Sequence, residues 1–122
     1  MSLVLIVEDN EMNMKLARDV LRARGYEIAE AINGEDGVRM ALERMPDLVL
    51  MDIQLPGISG VDAFRQIRGN AATAHIPIVA FTASVTPADR SQITGAGFDG
   101  FLSKPISLTE FLATVKRFVE RK

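Results

Sequence analysis

Apolar residues in this chain fall into unbroken runs and into three-to-four-residue repeats, and the two kinds alternate. Leu3-Val4-Leu5-Ile6-Val7, Leu48-Val49-Leu50-Met51 and Ile78-Val79-Ala80-Phe81 contain no polar position, as expected of strands covered on both faces. Tyr26 to Ala31 mixes polar with apolar residues, as an edge strand would. Gly100 to Ser103 predicts a short fifth strand. Helical repeats lie between these runs. The first is expected over about residues 11–24, with Asn10 as N-cap, Gly25 as its stop, and Leu16, Ala17, Val20 and Leu21 facing inward. Asn33-Gly34 turns the chain into a second helix, where Val38, Ala41, Leu42 and Met45 recur at i, i+3, i+4 and i+7 before Pro46. Ser59 and Asp62 stand at capping-box spacing for a third, whose inward positions are Gly60, Ala63, Phe64 and Ile67. Residues 69–77 read as a loop, with His75 an ordinary member of it. Thr86-Pro87 opens a fourth helix. Its body, from Ser91 to Gly97, is poor in helix formers and contains Gly95, so it should be the least stable. The last helix pairs Ser107 with Glu110 as a capping box and Ile106 with Phe111 as a hydrophobic staple. Leu108, Phe111, Leu112, Val115, Phe118 and Val119 form its inward face.

Five strands alternating with five helices predict an α/β domain: a doubly wound, parallel five-stranded sheet with right-handed crossovers. The expected strand order is 2-1-3-4-5, the flavodoxin-like arrangement. One domain over residues 1–122 is the natural count for this length. A net charge of −2 gives no basic field, which argues against direct nucleic-acid binding. The absence of cysteine removes disulfides, thiolate nucleophiles and thiolate-bound zinc, and the single histidine cannot form a metal cluster with another. No apolar stretch approaches the ~20 residues that span a bilayer, so no membrane association is expected and the cytoplasm is the expected location.

In the predicted topology strands one and three are neighbours, and ligands bind beyond the carboxyl ends of strands at such a switch point. Glu8, Asp9 and Asp52 meet there, and Thr82 and Lys104 end strands four and five on the same rim. Three clustered carboxylates repel one another unless a cation intervenes. An all-oxygen cluster with few ligands suits Mg²⁺, which keeps several waters and shares its site with phosphate oxygens. Lys104 supplies a positive charge and Thr82 a hydroxyl for phosphoryl oxygens. A carboxylate nucleophile, a metal and a lysine suffice for phosphoryl transfer, which asks mainly for positioning and charge neutralisation.

These residues carry a resemblance that covers the whole chain. The pair Glu8-Asp9, Asp52 with Pro56 four residues on and Gly60 eight on, Thr82-Ala83 and Lys104-Pro105 resemble the receiver domains of two-component response regulators, the CheY-like family. Within the family, Glu8-Asp9-Asn10 with Asn13 and Leu16, the stretch Met51 to Pro56 and the stretch Ser103 to Ser107 are similar to stand-alone cell-division regulators and to receivers of hybrid kinases. The resemblance implies that Asp52 accepts a phosphoryl group from a histidine on a sensor kinase or a histidine phosphotransfer protein. It implies that Glu8, Asp9, Asp52 and the backbone carbonyl of Gln54 hold Mg²⁺, directly or through water. Lys104, Thr82 and the N–H of Ala83 would hold the phosphoryl group, Lys104-Pro105 would be cis, and Gln54 and Ser84 would govern the lifetime of the adduct. Phe101 matches the family's switch aromatic, with Thr82 as its partner. Output would pass to a protein target through the face of helix four, strand five and helix five, with Lys116, Arg117 and Arg121 as charged contacts. Such a domain is not an enzyme acting on a separate substrate; it catalyses its own phosphorylation and slow dephosphorylation. The sequence ends shortly after the last helix, and no output domain is expected within it.

Three other functions fit less well. A phosphohydrolase of the haloacid-dehalogenase type would carry a second aspartate two residues after the nucleophile, where this chain has Gln54. A flavin module would carry a phosphate-cradling loop rich in Ser, Thr and Gly where this chain has Glu8-Asp9-Asn10-Glu11. A non-phosphorylated interaction module would have no use for the complete acidic and basic set.

Overall fold

In the computed structural model the chain forms β1 (Leu3–Val7), α1 (Glu11–Ala23), β2 (Glu27–Ala31), α2 (Gly34–Arg44), β3 (Leu48–Asp52), α3 (Gly60–Arg68), β4 (Ile78–Thr82), α4 (Pro87–Ala96), β5 (Gly100–Ser103) and α5 (Leu108–Val119). The structure describes residues 2–82, 87–103 and 107–120, the side chains of 89, 90, 92 and 94 apart. All strand pairings are parallel and the sheet order is β2-β1-β3-β4-β5, as the alternation predicts. The expected Lys104-Pro105 geometry, the Ile106 staple and the Thr86 cap lie outside the described residues.

Apolar runs become doubly covered strands because successive side chains point to opposite faces. Val4, Ile6, Leu48, Leu50, Val79, Phe81 and Leu102 face α1 and α5, meeting Met14, Ala17, Leu21, Phe111, Val115 and Phe118. Phe81 and Phe111 make an edge-to-face pair at 6.0 Å. Leu3, Leu5, Val7, Val49, Met51 and Ile78 face the other way, onto Ala41 of α2 and Ala63, Phe64 and Ile67 of α3. The sheet is thus a wall between two apolar layers, and only its edges are open to chemistry.

Helix caps follow the expected chemistry in three cases. Asn10, Asn33 and Ser59 each accept a hydrogen bond from the backbone N–H three residues on, at 3.0, 2.7 and 3.1 Å. Asn33 is therefore the N-cap of α2 rather than a free turn residue. Gly25, φ 88, ends the first helical segment as expected. Ser107 occupies the N-cap of α5, but its side chain makes no capping bond, so the predicted capping box is absent there.

The inward faces need correcting in phase. Leu16, read as inward, is 49% exposed; α1 buries Ala17 and Leu21 as expected, and Met14 with them. Leu42 and Met45 are exposed, and the buried face of α2 is Gly34, Gly37 and Ala41. That face carries almost no side chain because the helix backbone lies close to its neighbours: a Cβ on Gly37 would sit 2.9 Å from Val7 Cγ2. Leu108 is 53% exposed at the start of α5, whereas Phe111, Val115, Phe118 and Val119 are buried as expected.

Candidate functional site

Strand register brings the predicted residues to one rim. β1 and β3 are paired up to Val7 and Met51, so Glu8 and Asp52 are the next residues on adjacent strands. Glu8 is anchored by its own N–H, which donates to the Ala31 carbonyl at 3.0 Å. Asp9 follows at the exposed lip. One carboxylate oxygen from each of Glu8, Asp9 and Asp52 lies within 4.8 Å of the others. Asp52 pairs with Phe81 in the β3–β4 ladder, which puts Thr82 one step beyond it, and Thr82 pairs with Ser103 at the end of β5. Thr82 is buried, and Phe101, opposite Ala80, is half-buried. Ala83, Ser84, Lys104 and Pro105 lie outside the described residues.

Burial makes the cluster chemically unusual. Glu8 and Asp52 are only 2% and 5% exposed. Two full negative charges at that spacing repel by about 3–4 kcal/mol at an effective dielectric of about 20. Backbone N–H groups supply part of the compensation: that of Asn10 donates to Glu8 Oε2 at 3.1 Å and that of Gln54 to Asp52 Oδ1 at 3.2 Å. Three carboxylates without sulfur or imidazole form a hard, all-oxygen donor set, the kind that fits Mg²⁺ and not a softer metal. Glu8 and Asp9 also line a cleft of about 630 Å³ with Met14, Lys15, Arg18 and Glu30.

The loop after β3 is held close to the end of that strand. The Gly60 N–H donates to the Ile53 carbonyl at 2.9 Å, so α3 starts immediately beneath Asp52. Residues 4–116 match the family profile described as response regulator receiver domain.

The chain belongs to that family.

Over 116 residues, 95% of this chain and 94% of the other, the receiver is 43% identical to the polar-differentiation response regulator DivK of Brucella anthropi. It is 42% identical to DivK of Brucella ovis over the same shares. Its fold matches the receiver domain of a sensor histidine kinase from Pseudomonas aeruginosa PAO1 with a TM-score of 0.91, 33% identity and 98% of each chain covered. That structure holds a magnesium ion coordinated in its active-site cleft. The signal receiver domain of a histidine kinase from Syntrophus aciditrophicus matches with a TM-score of 0.92 and 27% identity, over 99% of this chain and 92% of that one. The receiver is therefore a two-component signalling module. Among the described residues, no helix is long and apolar enough to cross a membrane.

Sequence reasoning did not foresee how the rim is buttressed. Arg18 on α1 reaches Glu30 on β2 at 3.1 Å, beside the cleft. At the other end of the sheet Arg68 bridges to Asp99, whose carboxylate also accepts the Ile78 N–H at 2.8 Å. Nothing in the local spacing of these residues signals those contacts, because the partners are brought together by the sheet order.

Proposed function

We propose that Asp52 is the phosphoacceptor of this receiver and that Glu8, Asp9, Asp52 and the backbone carbonyl of Gln54 hold Mg²⁺. The observation that carries this reading is the buried Asp52 carboxylate grouped with two further carboxylates at the carboxyl ends of β1 and β3. In the transfer, an Asp52 oxygen forms a bond to phosphorus as the phosphorus–nitrogen bond of a phosphohistidine breaks, and the imidazole leaves with the electron pair. Mg²⁺, when bound, offsets the charge of the carboxylates and of the incoming phosphoryl oxygens. Thr82, Lys104 and the Ala83 N–H donate to those oxygens. Hydrolysis reverses the modification: water attacks phosphorus, the bond to Asp52 breaks, and inorganic phosphate leaves, with Gln54 and Ser84 governing access. Self-phosphorylation and slow self-dephosphorylation make up the chemistry. Intact mass after incubation with acetyl phosphate tests the reading, with one phosphoryl group gained in Mg²⁺ and none in EDTA; full labelling in EDTA contradicts it.

The donor is a phosphohistidine on a sensor kinase or histidine phosphotransfer protein, and the receiver acts as one domain, residues 1–122, in the cytoplasm. Met12, on the first turn of α1 beside the acidic rim, is 82% exposed, and a flexible apolar side chain there suits an adaptable protein contact. Met14, two residues on, is core and takes no part in such a contact. Met12→Lys is expected to slow transfer from the partner histidine at least several-fold while leaving labelling by acetyl phosphate unchanged. Equal rates of protein-to-protein transfer would move the docking face elsewhere.

Phosphorylation adds charge and acceptor oxygens at Asp52, towards which the Thr82 hydroxyl turns. The space it leaves admits Phe101, which lacks a hydroxyl and needs no hydrogen-bond partner inside. Output then leaves by α4, β5 and α5, where Lys116, Arg117 and Arg121 supply positive charge; the Arg117 guanidinium lies over the Phe118 ring at 4.5 Å. Thr82→Ala is expected to abolish the chemical-shift changes around Phe101 that beryllofluoride, a phosphoryl mimic, produces in the parent protein. Undiminished changes would exclude this route.

A further inference from the structure

Gly34 and Glu35, at the amino end of α2, lie against the loop that follows Asp52. A Cβ on Gly34 would stand 2.6 Å from Ile58 Cγ1, 3.1 Å from the Ile58 carbonyl oxygen and 3.2 Å from Ile58 Cδ1. The Ile58 side chain thus rests where any other residue at 34 would put its own. One residue earlier in the loop, Gly57 adopts φ 75, and a Cβ there would lie 2.6 and 2.8 Å from the two carboxylate oxygens of Glu35. So Glu35 covers the Gly57 backbone while Ile58 plugs into α2. The helix end is itself fixed: Asn33 caps it, and Gly37 seats it on Val7, the residue before Glu8.

We propose that Gly34 and Glu35 are positioning residues for the metal site, acting through the loop of residues 53–59. That loop carries Gln54, whose N–H holds Asp52 Oδ1 at 3.2 Å and whose carbonyl is the proposed fourth protein ligand. The inference rests on the metal reading given above. Mg²⁺ demands near-ideal octahedral geometry at about 2.0–2.1 Å, whereas Ca²⁺ accepts irregular shells at about 2.3–2.6 Å. A loop displaced by a few tenths of an ångström is therefore expected to cost Mg²⁺ affinity and to leave Ca²⁺ affinity nearly untouched. General loosening of the fold would weaken both ions alike. The nearest atoms that a Cβ at position 34 would meet all belong to Ile58, so a loss in Gly34→Ala points to that contact.

The test titrates Mg²⁺ and Ca²⁺, with no phosphodonor, into the parent, Gly34→Ala and Gly34→Ala/Ile58→Ala, following amide chemical shifts. Gly34→Ala is expected to bind Mg²⁺ about ten-fold more weakly, in the range of substitutions that disturb the groups supporting metal ligands, with Ca²⁺ binding little changed. Removing Cγ1 and Cδ1 of Ile58 in the double variant is expected to restore most of the loss. Glu35→Ala, at an exposed position, is expected to speed amide exchange across residues 54–58 in the metal-free protein. A parent that binds no Mg²⁺ overturns the metal reading and this inference with it. A parent that binds Mg²⁺ beside a Gly34→Ala protein that binds it equally, or that loses both ions in proportion, overturns the inference alone. Unchanged exchange in Glu35→Ala removes Glu35 from it.

Discussion

Asp52→Asn is expected to take up no phosphoryl group from acetyl phosphate at any Mg²⁺ concentration, while folding as well as the parent. The amide matches the carboxylate in size and fills the same buried place at the end of β3, so packing is kept. It lacks the anionic oxygen that, on the reading proposed above, forms the bond to phosphorus; of the two acids grouped with it, Glu8 is buried at the end of the adjacent strand and Asp9 is at the exposed lip. Neutralising residue 52 also removes its repulsion with the nearby Glu8 carboxylate. With packing kept, the unfolding free energy is expected to stay close to that of the parent in the absence of metal. Urea unfolding and intact mass check the two halves. A phosphoryl adduct on this variant would move the acceptor role to another residue.

Gly60→Ala is expected to be costly although both residues are small. A Cβ at position 60 would collide with the Asp52 carbonyl oxygen and lie 2.7 Å from Ile53 Cα. Both are backbone atoms, so no side chain can rotate away and the strand end or the helix start has to shift. Overpacking in a well-filled interior costs about 1–3 kcal/mol and sometimes more, and a contact this short against backbone belongs at or above the upper end. The shift falls on Asp52 itself, because its carbonyl oxygen is the atom the Cβ meets and the Gly60 N–H is bonded to the next carbonyl, that of Ile53, at 2.9 Å. Labelling by acetyl phosphate is accordingly expected to slow by at least ten-fold along with the loss of stability. A Gly60→Ala protein as stable as the parent would mean that α3 does not bear on Asp52 as closely as its backbone suggests.

Much of this was legible in the sequence, for a physical reason. Strands buried on both faces must be apolar throughout, so β1, β3 and β4 appear as runs that end where the polar rim begins. Glu8, Asp9, Asp52 and Thr82 could be assembled from topology alone, since parallel strands in the order 2-1-3-4-5 put their carboxyl ends on one edge. Helix phase was harder to read. Leu16 and Leu108 look inward by composition, but each helix covers the sheet with a narrow stripe, and these residues fall just outside it. In α2 the error has a different origin: its buried face is Gly34, Gly37 and Ala41, and small residues at a close approach leave no hydropathy signal. For the same reason the Gly34–Ile58 and Glu35–Gly57 contacts were invisible, with Asn33-Gly34 reading as a turn. Arg18–Glu30 and Arg68–Asp99 join elements whose proximity only the folded sheet creates.

Borohydride trapping identifies the phosphorylated residue itself. Borohydride reduces an acyl phosphate on an aspartate side chain to the alcohol and leaves homoserine in place of that aspartate, so peptide mass spectrometry locates the modified residue. After incubation with acetyl phosphate, homoserine is expected at position 52 in the Mg²⁺ sample and an unmodified peptide in the EDTA sample. Homoserine at another acidic position, or equal conversion of Asp52 without divalent metal, would contradict it.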